Sequence, residues 1–321
     1  MRFAVEGWAP EYGSSVNGDA LGESTAVVDL TVERDPGDWS AIDPAGTAPA
    51  RTVLFVDGVQ RIDARVWITD DGGTHQGACA SWAAGFVRCN ARAHVVAAEV
   101  RRGVLCPAPG TEAIATRHGA YQPYPLPVGT KGAGSAGGSS DPMHEAMGRA
   151  RGDLEGRVAA EARAATGGGG ADELLIVDGP LGDRRHIVGA VGYIKAHHVA
   201  YLPPPQQQVV AALGPGHRTP LFAVGDRRFR YSWYLRLPGP ASHPWWGVVR
   251  CEAAGDLARD DAIAVADRVT ATLPRFASQP YHDARAPQNL HPIAGLEREL
   301  RRQLGDQLLL ERALRQAAAQ G

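Results

Sequence analysis

Two apolar segments that each end in Asp-Gly constrain this chain more than any other feature. The first lies within RTVLFVDGVQRIDARVWITD, residues 51–70, and the second is ELLIVDGPL, residues 173–181. Asp-Gly between two strand-like runs predicts a hairpin turn, so Asp57 should end one buried strand and Asp178 another. Strands that carry aspartates to one end of a sheet are typical of sites that hold divalent cations.

Composition excludes few classes of function. The 321 residues carry 33 Lys and Arg against 35 Asp and Glu, so a net charge of -2 indicates no overall basic field, and any DNA contact requires a local patch. The four cysteines form no Cys-x-x-Cys pair, which favours reduced thiols over a zinc site. No apolar run approaches the ~20 residues of a membrane span and no signal pattern opens the chain, so we expect a cytoplasmic protein that binds no membrane.

The order of predicted elements indicates an α/β protein. Residues 1–50 form an N-terminal extension, and residues 51–321 form one domain with a flexible Pro- and Gly-rich insert near residues 107–142. Strands in a row with short turns predict an antiparallel meander before the insert, over residues 52–56, 61–68, 77–89 and 93–100. Predicted after the insert are helices over 142–166, 203–213, 260–273 and 293–319, and strands over 174–177, 186–195, 220–224, 229–237 and 246–251.

The predicted helix between the two aspartates offers further acidic side chains. Glu155 and Glu161 flank its apolar stripe on neighbouring turns, and either can lean towards the sheet, although a solvated helix face is the alternative for each. Glu155 is preferred because it leaves a good length of helix before the strand of Asp178. Two carboxylates that converge at a sheet edge repel each other unless a divalent cation neutralises them.

Three basic residues are candidates for contacts with phosphate. Lys195 ends a predicted strand and can neutralise a scissile phosphate, or it is an ordinary strand-end lysine with a packed stem and an exposed ammonium. Arg61 and Arg65 can contact a phosphate backbone, and exposed residues without that role are the alternative.

A later run, RRFRYSWYLR over residues 227–236, alternates cations with aromatic rings. On an exposed strand, Arg228, Arg230 and Tyr231 would hold phosphates and stack on bases. The alternative is a half-buried strand with a charged outer face. Both interpretations remain open at this point.

Five segments resemble the NurA family of nucleases: FVDGVQRIDARVW, LEGRVAAEA, LLIVDGPL, VGYIKAHHVAYL and DARAPQNLHPIAGLERELRRQLGD. The last is similar to the ending of a divergent bacterial branch of that family. The resemblance covers roughly residues 51–305. It implies an RNase H-like core with a mixed sheet flanked by helices and a C-terminal helix, and cleavage of DNA with Mn²⁺ or Mg²⁺. It also implies a homodimer and a HerA-like hexameric ATPase, a DNA translocase, as partner.

Carried over by motif, Asp57 and Asp178 match the two strand aspartates of the family, and Glu155 or Glu161 matches its helix glutamate. In place of the late histidine of the family we assign Asp283, next to His282. The resemblance thus implies a catalytic set that binds two ions, namely Asp57, Glu155, Asp178, Lys195 and Asp283, with Glu161 as an alternative metal ligand.

The chain departs from the family pattern directly after each aspartate. Gly58-Val59 stands where the family has Gly-Ser, and Gly179-Pro180-Leu181 stands where it has Gly-Ser-Leu. Both carboxylates are retained, so metal binding is compatible with these changes.

Three functions follow as hypotheses. The first is a metal-dependent DNA nuclease, exo- or endonucleolytic, that acts in end processing, repair or anti-phage defence beside a HerA-like motor. The second is a catalytically inactive RNase H-like module that binds nucleic acid or scaffolds an ATPase. The third, a phosphoesterase for small molecules, predicts a closed pocket instead of an open basic channel. The nuclease hypothesis requires Asp57, Asp178 and a helix glutamate to lie within metal-ligand distance of one another, whereas the hypothesis of an inactive module does not.

Overall fold

The computed structural model describes residues 8, 22–71, 73–126, 142–168, 170, 172–225, 229–239 and 243–320. The strands are β1 (Gly22–Glu23), β2 (Val28–Asp29), β3 (Thr52–Asp70), β4 (Gly73–Cys89), β5 (Ala93–Cys106), β6 (Ile114–Thr116), β7 (Gly119–Pro125), β8 (Glu173–Asp178), β9 (Ala190–Ile194), β10 (Val199–Ala200), β11 (Phe222–Val224), β12 (Arg230–Arg236) and β13 (Val248–Ala254). The α-helices are α1 (Pro142–Ala164), α2 (Pro204–Ala211), α3 (Arg259–Thr272), α4 (His291–Gln303) and α5 (Gln307–Ala318).

The chain divides into two compact units, each built from three stretches of sequence. The first unit comprises Met1–Val56, Val87–His94 and Ala159–Gly295. The second comprises Asp57–Phe86, Val95–Val158 and Leu296–Gly321. Both units receive residues from strands β3, β4 and β5 and from helices α1 and α4.

The first unit contains a mixed sheet. Its strands follow the order β2-β11-β12-β13-β9-β8-β3. The start of β3 pairs in parallel with β8, and β8 pairs in parallel with β9, whereas β9 and β13 are antiparallel. Helix α3 packs on this sheet, with Ala266 and Val269 in one buried cluster with Phe55 and Trp233. The apolar runs that precede Asp57 and Asp178 are thereby the central parallel strands.

The second unit contains the long strands. Its order is β3-β4-β5-β7-β6, in which β5 and β7 are parallel and β6 and β7 are antiparallel. Helix α4 packs Leu296 and Leu300 against Val59 and Ala83. Helix α5 places Leu314 in a separate buried cluster with Cys79, Val104 and Tyr121.

The predicted fold class is confirmed. The chain is a mixed α/β protein in which strands β3 to β7 precede the long helix α1, the parallel strands β8 and β9 follow it, and helices end the chain. Helix α1 begins at Pro142 as predicted, where the missing N–H is not needed for an intrahelical bond. Among the described residues, no helix is long and apolar enough to cross a bilayer.

The hairpin predicted at Asp57-Gly58 is wrong. Strand β3 runs without interruption through both residues, and the chain reverses only after Asp70. A Cβ on Gly58 would lie 2.5 Å from Glu155 Oε1 and 3.1 Å from the backbone oxygen of Ala83. Glycine is therefore required here for close packing of helix α1 on the strand, and no turn is formed.

The single C-terminal helix predicted over residues 293–319 is also wrong. The chain forms α4 and α5, separated by Gly305 at a φ of +85°, a left-handed conformation that favours glycine. Asp306 then caps α5, since its carboxylate accepts a hydrogen bond of 3.0 Å from the backbone N–H of Leu309. The segment predicted as a flexible insert contains strands β6 and β7, while residues 127–141, with the predicted N-cap Asp141, lie outside the described residues.

Candidate metal centre

Parallel pairing brings the two sequence-predicted aspartates to corresponding positions. Val56 is the register partner of Val177, so Asp57 and Asp178 are the next residue of each strand. Asp178 is the last residue of β8 and pairs with Tyr193, two residues before Lys195. The carboxyl ends of parallel strands meet at one edge of a sheet, and this geometry explains why these polar residues are close together.

A third carboxylate completes an acidic group. Asp57, Asp178 and Glu297 each offer one carboxylate oxygen, and the three oxygens lie within 4.8 Å of one another. Asp57 is buried, whereas Asp178 and Glu297 are partly exposed. Carboxylate oxygens in this number are suitable ligands for a hard divalent cation such as Mg²⁺ or Mn²⁺.

The environment of Asp178 fits a bound cation. Its Oδ2 lies 2.8 Å from Lys195 Nζ, with 16% of the Asp178 side chain and 10% of the Lys195 side chain exposed. Its other oxygen, Oδ1, is buried and accepts no hydrogen bond from the part of the chain that is described. A buried carboxylate oxygen without a donor is costly unless a cation or water satisfies it, so the donor set and its surroundings fit a metal ion.

Asp57 lies beside the predicted helix glutamate. Its Oδ1 accepts a hydrogen bond of 2.7 Å from the backbone N–H of Gly58. The carboxylate of Glu155 lies against Gly58, is only 4% exposed, and forms an ion pair of 3.3 Å with Arg151. Arg151 also donates a hydrogen bond to the carbonyl oxygen of Gly58. Glu155 therefore packs from helix α1 against the residue that follows Asp57, although it is not a member of the acidic group.

The other two predicted metal ligands are placed differently. Glu161 lies on the exposed face of helix α1, so its carboxylate is directed to solvent. Asp283 accepts hydrogen bonds from Asn289 Nδ2 at 2.9 Å and from the backbone N–H of Arg285 at 2.8 Å. Neither residue belongs to the group formed by Asp57 and its neighbours.

Glu297 is the member of the acidic group that sequence reasoning missed. It lies in GLERELRR, where alternating charges favour a solvated, salt-bridged helix face. The available signal is its position beside the apolar stripe of α4, next to Leu296 and one turn before Leu300. A carboxylate at the margin of a buried stripe is a candidate for an inward-facing role.

The predicted nucleic-acid residues on β3 have different surroundings. Arg61 is 23% exposed, forms an ion pair of 2.8 Å with buried Asp63, and donates to the carbonyl oxygen of Gly305 at 2.9 Å. These contacts fix the guanidinium inside the second unit. Arg65 is exposed.

The predicted aromatic and basic strand is mostly buried. Tyr231 is 8% exposed and meets Phe229 edge-on at 5.4 Å between ring centroids. Arg230 donates to Glu252 Oε1 at 2.7 Å. The rings of β12 therefore pack in the core, while Arg228 lies outside the described residues.

Two buried side chains support the turn after Asp178. Glu252 is fully buried and accepts a hydrogen bond of 3.0 Å from the backbone N–H of Leu181. Burial raises the pKa of Tyr193 well above its ordinary value, and the nearby Cys251 and Asp178 act in the same direction. The Tyr193 hydroxyl therefore stays protonated and donates to the carbonyl oxygen of Gln288 at 2.7 Å. Both contacts hold the strand ends that carry Asp178 and Lys195.

Comparisons with known proteins give a structural likeness and no sequence match. No protein-family model matches this chain, and no curated protein matches it. Among solved structures, the chain is similar to the crystal structure of the NurA nuclease from Sulfolobus solfataricus, with a TM-score of 0.46 and 9% identity. The match covers 82% of this chain and 81% of that one.

Proposed function

We propose that this protein is a metal-dependent DNA nuclease that hydrolyses phosphodiester bonds. The acidic group of Asp57, Asp178 and Glu297, with Lys195 bound to one of its carboxylates, is the observation that carries the proposal. Three carboxylates whose oxygens lie this close together repel one another, and a divalent cation would relieve that repulsion.

The side chains have distinct roles in this proposal. The ion, Mn²⁺ or Mg²⁺, would be held by Asp57, Asp178 and Glu297. The proposal also allows a second ion. A bound ion of this kind activates water and stabilises the departing oxygen of a phosphodiester. Lys195 contributes a fixed positive charge that attracts a phosphate group to the carboxylates. Glu155 supports the backbone at Asp57-Gly58.

The biological setting belongs to the same proposal. We infer that the protein is cytoplasmic, forms a homodimer, and acts with a HerA-like hexameric ATPase on DNA ends, in repair or in defence against foreign DNA. The sequence resemblance to NurA nucleases motivates these statements. Co-purification with such an ATPase encoded in the same cell, and analytical ultracentrifugation of the protein alone, are the direct measurements.

The deciding experiment measures degradation of linear single- and double-stranded DNA by the purified protein with Mn²⁺, Mg²⁺ or EDTA. We expect cleavage with the metals, none with EDTA, and loss of cleavage in Asp57→Ala. Calorimetric titration with Mn²⁺ should show binding to the wild type and much weaker binding to the variant.

A matched control is Asp43→Asn, because Asp43 is an exposed aspartate outside the acidic group. This variant should cleave DNA and bind Mn²⁺ like the wild type. If the wild type stays inert with either metal, even when a HerA-like ATPase is added, the nuclease proposal fails, and a scaffold that binds nucleic acid or an ATPase becomes the better account.

A further inference from the structure

A buried amide links Lys195 to the aspartate that sequence analysis assigned as the late metal ligand. Asn289 is fully buried, and its Oδ1 accepts a hydrogen bond of 3.1 Å from Lys195 Nζ. Its Nδ2 donates to Asp283 Oδ2 at 2.9 Å. Asp178, Lys195, Asn289 and Asp283 thus form one continuous chain of polar contacts within the first unit.

The chemistry of the neighbours fixes the orientation of this amide. An ammonium group can only donate hydrogen bonds, and an ionised carboxylate can only accept them. The carbonyl oxygen of Asn289 must therefore face Lys195, and its NH₂ group must face Asp283. In a flipped amide, the NH₂ group would face the ammonium of Lys195, which is also a donor. The carbonyl oxygen would face the carboxylate of Asp283, which is also an acceptor.

The backbone around the amide is held as well. Asp283 Oδ1 accepts from the backbone N–H of Arg285, and the backbone N–H of Asn289 donates to the carbonyl oxygen of Arg285 at 3.0 Å. The adjacent Gln288 carbonyl accepts from Tyr193, which pairs with Asp178. Asp283 therefore uses both carboxylate oxygens to order the loop that presents Asn289.

We propose that Asn289 is a positioning residue for Lys195, and that Asp283 orients Asn289 instead of binding metal. A lysine stem has four rotatable carbons, and two acceptors on different elements, Asp178 and Asn289, are needed to hold its ammonium in one place. The inference rests on the proposed function, in which Lys195 attracts the phosphate of the substrate.

An exchange of the two side chains tests the contact directly. Asn289→Asp places two carboxylates side by side and should lower the midpoint of thermal unfolding by about 4 °C. The double variant Asn289→Asp with Asp283→Asn preserves the three contacts described above: the introduced carboxylate accepts from Lys195, and the introduced amide donates to that carboxylate and accepts from the N–H of Arg285. Its midpoint should return to within about 1 °C of the wild type.

Activity shows whether this contact positions Lys195. We expect Asn289→Asp to lower kcat by about tenfold, as substitutions beside a metal site do, and the exchanged pair to restore it to within about threefold. In a Lys195→Met background Asn289→Asp should produce no further loss of kcat, because the two residues act as one unit. Mn²⁺ affinity should stay within about threefold of the wild type in the exchanged pair.

Two results would overturn the inference. If the exchanged pair stays as unstable as Asn289→Asp, the contact between Asn289 and Asp283 does not exist in solution. If the pair is stable but loses Mn²⁺ binding, Asp283 is a metal ligand after all. The thermal measurements decide the first point without any catalysis, so a wild type that cleaves no DNA would refute the nuclease proposal alone. If Asn289→Asp does not fold, Asn289→Ser is tested instead, both in the wild type and in Lys195→Met. Shifts in the unfolding midpoint that add between these two substitutions would mean that Asn289 and Lys195 are not in contact.

Discussion

Two low-exposure aspartates, Asp63 and Asp178, are surrounded in opposite ways. Asp63 in the second unit accepts from Arg61 Nε at 2.9 Å, from Tyr121 at 3.0 Å, and from the hydroxyl of Ser81. Asp178 in the first unit contacts Lys195 through one oxygen, while its other oxygen accepts no hydrogen bond from the described chain. The difference shows how a structural carboxylate is distinguished from one that is suited to a cation: the protein supplies all donors to the first and leaves the second incomplete.

The largest expected effect is a loss of DNA cleavage on substitution of Asp178. Asp178→Asn removes a ligand charge, and a metal contributes several kcal/mol to stabilising the transition state, so we expect cleavage of DNA to fall by about 10³-fold. Mn²⁺ affinity should fall by at least about tenfold, measured by calorimetric titration. The midpoint of thermal unfolding should fall less than in a variant that removes the Asp63 acceptor, because the amide oxygen of Asn still accepts a hydrogen bond from Lys195. A variant that keeps its Mn²⁺ affinity would break the contrast with Asp63.

Substitution of Asp63 should lower stability and leave metal binding unchanged. Asp63→Leu leaves the guanidinium of Arg61 and the hydroxyls of Ser81 and Tyr121 without their shared acceptor, and breaking a buried ion pair in this manner costs about 3–5 kcal/mol. We expect the free energy of unfolding in urea to fall by that amount. Mn²⁺ affinity of the folded fraction should stay within about threefold of the wild type. Loss of metal binding in a folded variant would show that Asp63 belongs to the site.

The sequence was informative about strands and less so about contacts. The apolar runs before Asp57 and Asp178 were correctly predicted as strands, because a strand buried on both faces is apolar throughout. Their parallel pairing was not predicted. The turn at Gly58 was wrong, since a glycine needed for a turn and one needed for close approach of Glu155 look identical in one dimension.

Glu297 illustrates a second limit. A helix glutamate beside an apolar stripe has the same local sequence whether it faces solvent or a distant carboxylate. Its partner Asp57 is 240 residues earlier in the chain, so only the tertiary fold brings them together. Asn289 was missed for the same reason, because a buried amide has no periodic signature.

A comparison of the two aspartates by acid titration must allow for a buried histidine, His197, which also titrates. Burial lowers the pKa of His197 from 6.5 to about 4, and the neighbouring charge of Arg250 acts in the same direction against a hydrogen bond to Val248 that raises it. The unfolded chain therefore binds a proton that the folded chain does not, between these two values. Stability is full above pH 6.5 and should fall by about 3 kcal/mol as the pH decreases towards 4.

The check is the free energy of unfolding in urea at a series of pH values. His197→Gln has no titrating group at this position, so its stability should be nearly constant across the same window while the wild type declines. Equal slopes in the two proteins would mean that the carboxylates, and not the histidine, set the acid sensitivity.

The smallest effect concerns the two glutamates that sequence analysis left open. Glu155 is buried against Gly58 next to Asp57, whereas Glu161 is exposed on the same helix. Glu155→Gln keeps the volume but weakens the ion pair with Arg151, and we expect a loss of about tenfold in kcat/KM on linear DNA, in the range found for residues that support metal ligands. Glu161→Gln should stay within about twofold, as a solvated side chain does. A larger loss in Glu161→Gln than in Glu155→Gln would mean that helix α1 presents its other face to the carboxylates when the metal and DNA are bound.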